Sequence, residues 1–344
     1  MLIRVLLVDD SPLALQVLKK ILSNDLEIMV IGTAENGQQG IDEAIKLKPD
    51  VICTDFHMPI MDGLEFTEQV MEICPTPILI ISVAVQAEHQ DNVFRLLDAG
   101  AVDILPKPYM ESGFNDPTLG QELIRKIKIL SGVSVFRRKK TIIEYEAPIS
   151  TIPSPNFSTS NKQVLVIGAS TGGPQAFEAI LSKLPTNYSL PIICVQHIST
   201  GFLSSFITWL NSTCQLKVSI AIAGEKTKAG HIYFAPDDAN LLIDAQGCMQ
   251  LSTEGNYFHF PSVDATLNSV ASYYGNKTAG VLLTGMGDDG AKGLKAIAEA
   301  GGMTIAQDEA SSTVFGMPKV AIEMGAAQKV LSLEQITQTL CAMS

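Results

Sequence analysis

The chain has 344 residues, enough for about two domains that each bury a core, and its balance of 46% apolar to 17% charged residues argues against overall disorder. A net charge of −12 repels nucleic acid and anionic membranes on average, so neither is expected as a partner, and apolar runs such as "ILIISVAV" are far too short to span a bilayer. The opening "MLIRVLLVDD" meets two aspartates within ten residues, unlike a signal peptide, and six scattered cysteines without a C-x-x-C pair fit reduced thiols; the expected location is cytoplasmic.

Residues 1–130 alternate between β-rich apolar runs and helical patterns. Strands are expected at 3–8, 27–32, 50–54, 77–82 and 102–105, and helices at 12–22, 37–48, 63–73, 88–98 and 119–130. This alternation implies a parallel sheet covered by helices on both faces, and the nearly continuous Val, Ile and Leu of the strands suits such burial. Residues 131–162 break the pattern: "RRKK" leads into "APISTIPSPNFSTSNK", rich in Pro, Ser and Thr, which reads as an extended, semi-stiff linker. From residue 163 to the end the α/β alternation resumes. Strands are expected at "QVLVIG", "PIICVQ", "HIYFA", "AGVLLTG" and "GMTIAQ", and helices at 174–183, 201–211, 263–274 and 290–300.

Open α/β sheets bind ligands outside the carboxyl ends of their strands. In the first region Asp9 and Asp10 end one strand, Asp55 another and Ser82 a fourth, while Lys107 follows the fifth. Three carboxylates brought together need a cation, and hard oxygen ligands suit Mg²⁺. A carboxylate can also attack phosphorus to form an aspartyl phosphate, with Lys107 and Ser82 contacting the phosphoryl oxygens. The plainer reading of Asp9 and Asp10, as a turn and a helix cap, accounts for that pair but not for all five positions. "VLLVDDSPLALQVL", "DVICTDFHMPIMDGLEF" and "LPKP" resemble a response-regulator receiver domain, a flavodoxin-like (βα)5 fold. The resemblance implies phosphorylation of Asp55 by a histidine kinase. It also implies Mg²⁺ held by Asp10, Asp55 and the His57 backbone carbonyl with help from Asp9, and Ser82 and Lys107 as switch residues. Tyr109 is not an obvious match to the family's switch aromatic.

In the second region "VLVIGASTGGPQAF" admits two readings. Its glycines could cradle a phosphate, yet G-x-G-x-x-G is absent, no Walker lysine follows, and the position for a ribose-binding acid holds Gln196 and His197. The same stretch reads G-x-S-x-G around Ser170. His197 in "VQHISTGF" and Asp289 in "VLLTGMGDDGAKG" also lie just past expected strands. A hydroxyl, an imidazole and a carboxylate at one sheet edge are what a Ser-His-Asp triad requires. Singly, Ser170 could cap a helix, His197 could be a packed histidine, and Asp288 and Asp289 could be caps; the conjunction favours catalysis. The chain order Ser, His, Asp differs from the Ser, Asp/Glu, His order of α/β-hydrolases, against that fold. Glycine-rich loops beside Ser170 and at "TGMG" suit an oxyanion hole, with the Met286 N–H as one donor.

This half resembles the catalytic domain of the CheB family of chemotaxis methylesterases. The resemblance rests on "IGASTGGP", "VQHISTGF", "HIYFAPDD", "PSVDATLNSVA", "VLLTGMGDDGAKGL" and "TIAQDEASSTVFGMPKVAIEMGA". It implies a receiver at 1–130, a linker at 131–162 and a doubly wound, mostly parallel α/β methylesterase domain at 163–344. It implies hydrolysis of glutamyl methyl esters on chemoreceptor cytoplasmic helices, often with glutamine deamidation. Ser170 is then nucleophile, His197 base and Asp289 orienting acid, with Thr171 and Met286 supporting the oxyanion, and ester hydrolysis needs no cofactor. The expected control is a receiver that covers the active-site edge until Asp55 is phosphorylated. Two departures bear on the receptor partner: "ISTGF" replaces a more usual Met-Pro-Pro-Gly-Phe run, and His259 stands near a place that commonly holds a basic residue. The alternatives are a phosphorylation-controlled adaptor with a silent second domain, and a specialised glutamine deamidase.

Overall fold

The computed structural model describes residues 2–82, 90–107, 117–135, 161–255 and 260–343, and the chain divides into two compact units, 1–141 and 142–344. The switch-aromatic question at Tyr109, the residue His259, and residues 136–160 of the linker lie outside the described residues.

The first unit runs β1 (Ile3–Val8), α1 (Pro12–Leu22), β2 (Ile28–Ala34), α2 (Gly37–Leu47), β3 (Val51–Thr54), α3 (Gly63–Ile73), β4 (Ile78–Ser82), α4 (Gln90–Ala99), β5 (Asp103–Pro106) and α5 (Pro117–Leu130). Its parallel sheet has the order β2-β1-β3-β4-β5. Side chains at helix starts capture otherwise unpaired N–H groups: Ser11 caps α1, Asn36 caps α2 and Asp62 caps α3. Asp9 and Asp10 are therefore not the cap of α1. Strands β3 and β4 are buried along their whole length. Strand order reverses between β1 and β3, which opens a crevice at their carboxyl ends, where Asp9, Asp10 and Asp55 emerge.

The second unit runs β6 (Val164–Ala169), α6 (Gly173–Leu181), β7 (Ile192–Gln196), α7 (Leu203–Thr213), β8 (Lys217–Ile220), β9 (His231–Phe234), β10 (Asn240–Ile243), β11 (Met249–Ser252), α8 (Val263–Tyr274), β12 (Thr278–Leu282), α9 (Ala291–Glu299), β13 (Met303–Gln307), α10 (Met317–Glu323), β14 (Lys329–Leu331) and α11 (Leu333–Cys341). Seven strands form a parallel sheet in the order β14-β13-β12-β6-β7-β9-β8, and β10 pairs antiparallel with β11 in a separate hairpin. The chain leaves β6 toward β7 on one side and later returns to β12 on the other. The switch point is therefore β6, flanked by β7 and β12.

Strands β8, β10, β11 and β14 and helices α10 and α11 were not expected from the periodicity. They are short, and β8 and β14 are edge strands with exposed positions, so the apolar pattern is diluted. The hairpin turn carries a local signal: Asp244 Oδ1 accepts from the N–H of Gln246 and Cys248, both at 2.8 Å, and Gly247 has φ +78°. The expected strand 279–285 ends earlier, at Leu282. Leu283 N–H still donates to Gly168 O at 2.9 Å, and Thr284 and Gly285 then turn away from the ladder toward Ser170.

Helix α8 lies close against the switch strand. A Cβ on Gly168 would fall 2.2 Å from Val263 Cγ1, the first residue of that helix. Gly168→Ala should therefore cost about 1–3 kcal/mol of stability by overpacking. In a double-mutant cycle followed by thermal unfolding, Val263→Ala should recover part of that loss, and strict additivity would contradict the contact.

Candidate active site

Ser170 is the first residue past β6 and is 8% exposed. Its N–H donates to Thr284 O at 3.0 Å, and its carbonyl accepts from Gly173 N–H at 2.7 Å, so the chain turns sharply there. Gly172 takes φ +76° and begins α6 without a side-chain cap bond, so Ser170 does not serve as the cap. A Cβ on Gly172 would strike Thr313 at 2.4 Å, so this position has neither the backbone angle nor the room for a side chain. Among the described residues the Ser170 hydroxyl has no hydrogen-bond partner.

The neighbouring loops are tied to this turn. Thr284 Oγ donates to Thr171 O at 2.9 Å and accepts from Val314 N–H at 2.9 Å, which links the Ser170 loop to residues 284 and 314. Gln307 Oε1 accepts from Thr284 N–H at 2.8 Å and holds that threonine from β13. A Cβ on Gly285 would sit 2.8 Å from Ser170 Cβ, so glycine here lets the loop lie against the serine. Thr171 is buried, and Met286 is 37% exposed.

His197 is the first residue past β7, and its N–H continues the ladder to Ala169 O at 3.0 Å. Its Nε2 lies 2.9 Å from Asp289 Oδ2. Asp289 follows β12 and also meets the start of α8: it accepts from Ser262 Oγ at 3.0 Å and from the N–H groups of Val263 and Asp264, both at 2.8 Å. Burial pushes the Asp289 carboxyl up, but the hydrogen bonds from His197 and from the Asp264 and Val263 N–H groups outweigh it and hold the group below the usual carboxylate range. Asp264 moves the other way: burial and the Asp289 charge raise it against the N–H groups of Gly293 and Gly290. Asp288 takes part in the turn through its carbonyl, which accepts from Ala291 N–H at 3.0 Å.

With Nε2 turned to Asp289, the neutral imidazole carries its proton there, and Nδ1 is the basic nitrogen. The structure thus brings His197 and Asp289 into direct contact and sets Ser170 on the adjoining strand end, without a hydroxyl–imidazole hydrogen bond. Such bonds are often long before substrate binds. The sequence reading did not single out Ser262, Asp264, Thr284 or Gln307. Only Ser262 had a legible signal, as a serine directly before a helical run in "PSVDATLNSVA".

In the first unit, side-chain oxygens of Asp9, Asp10 and Asp55 lie within 4.8 Å of one another. Lys107 Nζ lies 2.7 Å from Asp55 Oδ2 and 2.7 Å from Asp9 Oδ2. Lys107 thus forms a buried ion pair with both carboxylates. Burial pushes Asp55 up, the Lys107 charge and hydrogen bond pull it down, and the Asp9 charge adds to the rise, leaving it raised. Burial acts to lower Lys107, but Asp55 and Asp9 hold it well above the usual lysine range. Three clustered carboxylates face a single ammonium, and that surplus of hard oxygen ligands fits a divalent cation such as Mg²⁺. Ser82 is buried, and its carbonyl accepts from Lys107 N–H at 2.9 Å, so the two expected switch residues adjoin at the backbone. A Cβ on Gly63 would sit 2.4 Å from Asp55 O, so α3 starts directly against the acidic loop. His57 is exposed, with its ring edge-on to Phe56 at 4.4 Å.

The depressed carboxyl of Asp289 makes a pH prediction. Its stabilisation is complete above the unfolded carboxylate range near pH ~4 and is lost as pH falls through the lower folded value. Asp289→Asn should cost about 2–3 kcal/mol at neutral pH through lost charge-assisted bonds. In urea unfolding at stepped pH, the gap from wild type should hold down to about pH 5 and close below about pH 4.

The sequence model of the response regulator receiver domain matches residues 5–115, and that of the CheB methylesterase matches residues 165–340. The chain is 41% identical over 346 residues to protein-glutamate methylesterase/protein-glutamine glutaminase 1 of Syntrophus aciditrophicus, covering 100% of this chain and 99% of that protein. It is 40% identical over 344 residues to protein-glutamate methylesterase/protein-glutamine glutaminase of Nitrosospira multiformis, covering 98% of this chain and 96% of that protein. The crystal structure of the Thermotoga maritima CheB methylesterase catalytic domain matches with a TM-score of 0.52 at 41% identity, over 53% of this chain and 99% of that one. The chain belongs to the CheB methylesterase family, in the form that carries a response regulator receiver domain ahead of the catalytic domain.

Proposed function

We propose that this chain is a phosphorylation-activated protein-glutamate methylesterase that hydrolyses glutamyl methyl esters on the cytoplasmic helices of chemoreceptors, and that it also deamidates receptor glutamines. In this reading residues 1–130 are the receiver, 131–162 the linker and 163–344 the catalytic domain, and the protein works in the cytoplasm. The observation that carries the reading is the 2.9 Å contact of His197 Nε2 with Asp289, on strand ends that flank the one bearing Ser170.

His197 Nδ1 takes the proton of Ser170 Oγ as that oxygen attacks the ester carbonyl. The imidazolium is stabilised by Asp289, whose carboxylate is held ionised by its four donors. The tetrahedral oxyanion is met by backbone N–H groups of the Thr171 and Met286 loops. Methanol leaves with the proton from His197, and water, deprotonated by the same nitrogen, frees the glutamate and Ser170. For a glutamine substrate the leaving group is ammonia. No metal or cofactor is used.

In the receiver, a histidine kinase is the phosphodonor and Asp55 the acceptor. Asp9, Asp10, Asp55 and the His57 backbone carbonyl would hold Mg²⁺, which supplies positive charge toward the phosphoryl oxygens. Lys107 pairs with the same charge from the protein side, and Ser82 serves as the switch hydroxyl. The adaptor reading is disfavoured because the acid–base pair of the second unit is assembled and its carboxylate fully donated to. Methanol against ammonia release from matched ester and amide substrates separates a methylesterase from a specialised deamidase.

Methanol release from methylated receptor, with and without a small-molecule phosphodonor, tests the proposal. Ser170→Ala should lower turnover by about 10³-fold or more while the protein stays folded, and retained release would refute the assigned nucleophile. Asp55→Ala should show no stimulation by the phosphodonor; stimulation equal to wild type would place the acceptor elsewhere.

A further inference from the structure

We propose that Gln196 is a positioning residue that sets the nucleophile loop against the base loop, an inference that rests on the roles given above to Ser170 and His197. Gln196 is the last residue of β7, pairs across the ladder with Ala169, and is 3% exposed. Its side-chain Nε2 donates to Ser170 O at 2.9 Å and to His197 O at 2.7 Å. Both amide hydrogens are thus spent, one on the carbonyl of the nucleophile and one on that of the base. Two carbonyl acceptors fix the amide orientation, since only its NH₂ end can face them.

The rest of the side chain shows that this bridge is not incidental. Gln196 Oε1 is buried and has no hydrogen-bond partner among the described residues, a cost that packing alone does not require. A Cβ on Gly173 would sit 2.0 Å from that oxygen and 2.9 Å from Gln196 Cδ, so the second glycine of "STGGP" is the space the amide occupies. The bridge also stands where the ladder fails. The last backbone bond between these strands runs from His197 N–H to Ala169 O, after which Ser170 N–H turns to Thr284 O and the His197 ring to Asp289. Beyond that bond the amide ties the two diverging ends together. Gln196 acts through the two residues it holds, and small displacements of a reacting pair cost large factors in rate.

The test uses the full-length protein with phosphodonor and methylated receptor, with wild type and Ser170→Ala as references. Gln196→Met keeps the length and removes both donors; Gln196→Glu turns a carboxylate toward two carbonyl oxygens. Both should lower kcat by 10- to 100-fold with KM within twofold of wild type in protein that remains folded at the assay temperature. Gly173→Ala, which keeps the amide but crowds it, should show the same split, and it serves as the second variant if Q196M does not fold. Combined with Gln196→Met it should add little further loss, because both break one bridge. A kcat for Q196M within twofold of wild type, or losses in the double variant that simply multiply, would overturn the inference. A folded wild type without methanol release would instead refute the underlying esterase reading.

Discussion

The active half of this chain depends on where one carboxylate sits. Asp289 lies at the start of α8 and takes hydrogen bonds from Ser262 Oγ, from two helix N–H groups and from His197. The N-terminal turn of a helix has unpaired donors and a positive partial charge, so it offers an anion a place that water would otherwise fill. Here the anion comes from another loop, the one after β12. Ser262 serves twice, capping α8 through Ala265 N–H at 3.2 Å and donating to Asp289. Its own N–H donates to buried Asn240 Oδ1 at 2.6 Å, which extends the support into the β10–β11 hairpin. A rigid acid is what allows a single imidazole to be held in one orientation and one tautomer.

Close packing makes that arrangement possible. Gly168 and Gly290 both lack the Cβ that would strike Val263, so α8 can approach the switch strand and the Asp289 loop at once. Gly285 lies against Ser170 for a similar reason. The two units share a principle, since each places its polar groups at the carboxyl edge where strand order reverses. Their charge balance differs. In the first unit the carboxylates outnumber the one lysine that pairs with them, an arrangement that suits a cation. In the second the carboxylate takes four protein donors, which hold it as an anion.

Much of this was legible in the sequence because its signals were long or repeated. Five apolar strands with polar residues at their ends defined the first sheet, and the caps Ser11, Asn36 and Asp62 stand where composition suggests. Ser170, His197 and Asp289 fall at three strand ends on the apolar runs alone. What could not be read was how those ends are held. Gln196, Thr284 and Gln307 are polar residues inside or just past apolar strands, and periodicity treats each as noise. Edge strands β8 and β14 are short and partly exposed, so their pattern is too weak to separate from loop. The absence of a Ser170–His197 hydrogen bond is likewise a matter of side-chain placement, which spacing does not encode.

The contact through Nε2 has a consequence for how the chain order works. In the Ser-His-Asp template Nδ1 faces the acid and Nε2 the nucleophile. Here Nε2 faces the carboxylate, so the ring is reversed and its nearer nitrogen, Nδ1, is the one left for a base in the proposed reaction. Nδ1 lies closer to the backbone than Nε2, so a histidine that uses it must be anchored near the serine. Anchoring at that range comes from the adjacent strand, and His197 begins directly where β7 pairs with β6. The acid must then reach the far side of the ring, and it comes from β12 across the switch strand, braced by α8. Thus Ser, His and Asp occur in chain order because β6, β7 and β12 are made in that order. With the ring turned this way, three neighbouring strand ends bring the serine, the imidazole and the carboxylate to one sheet edge.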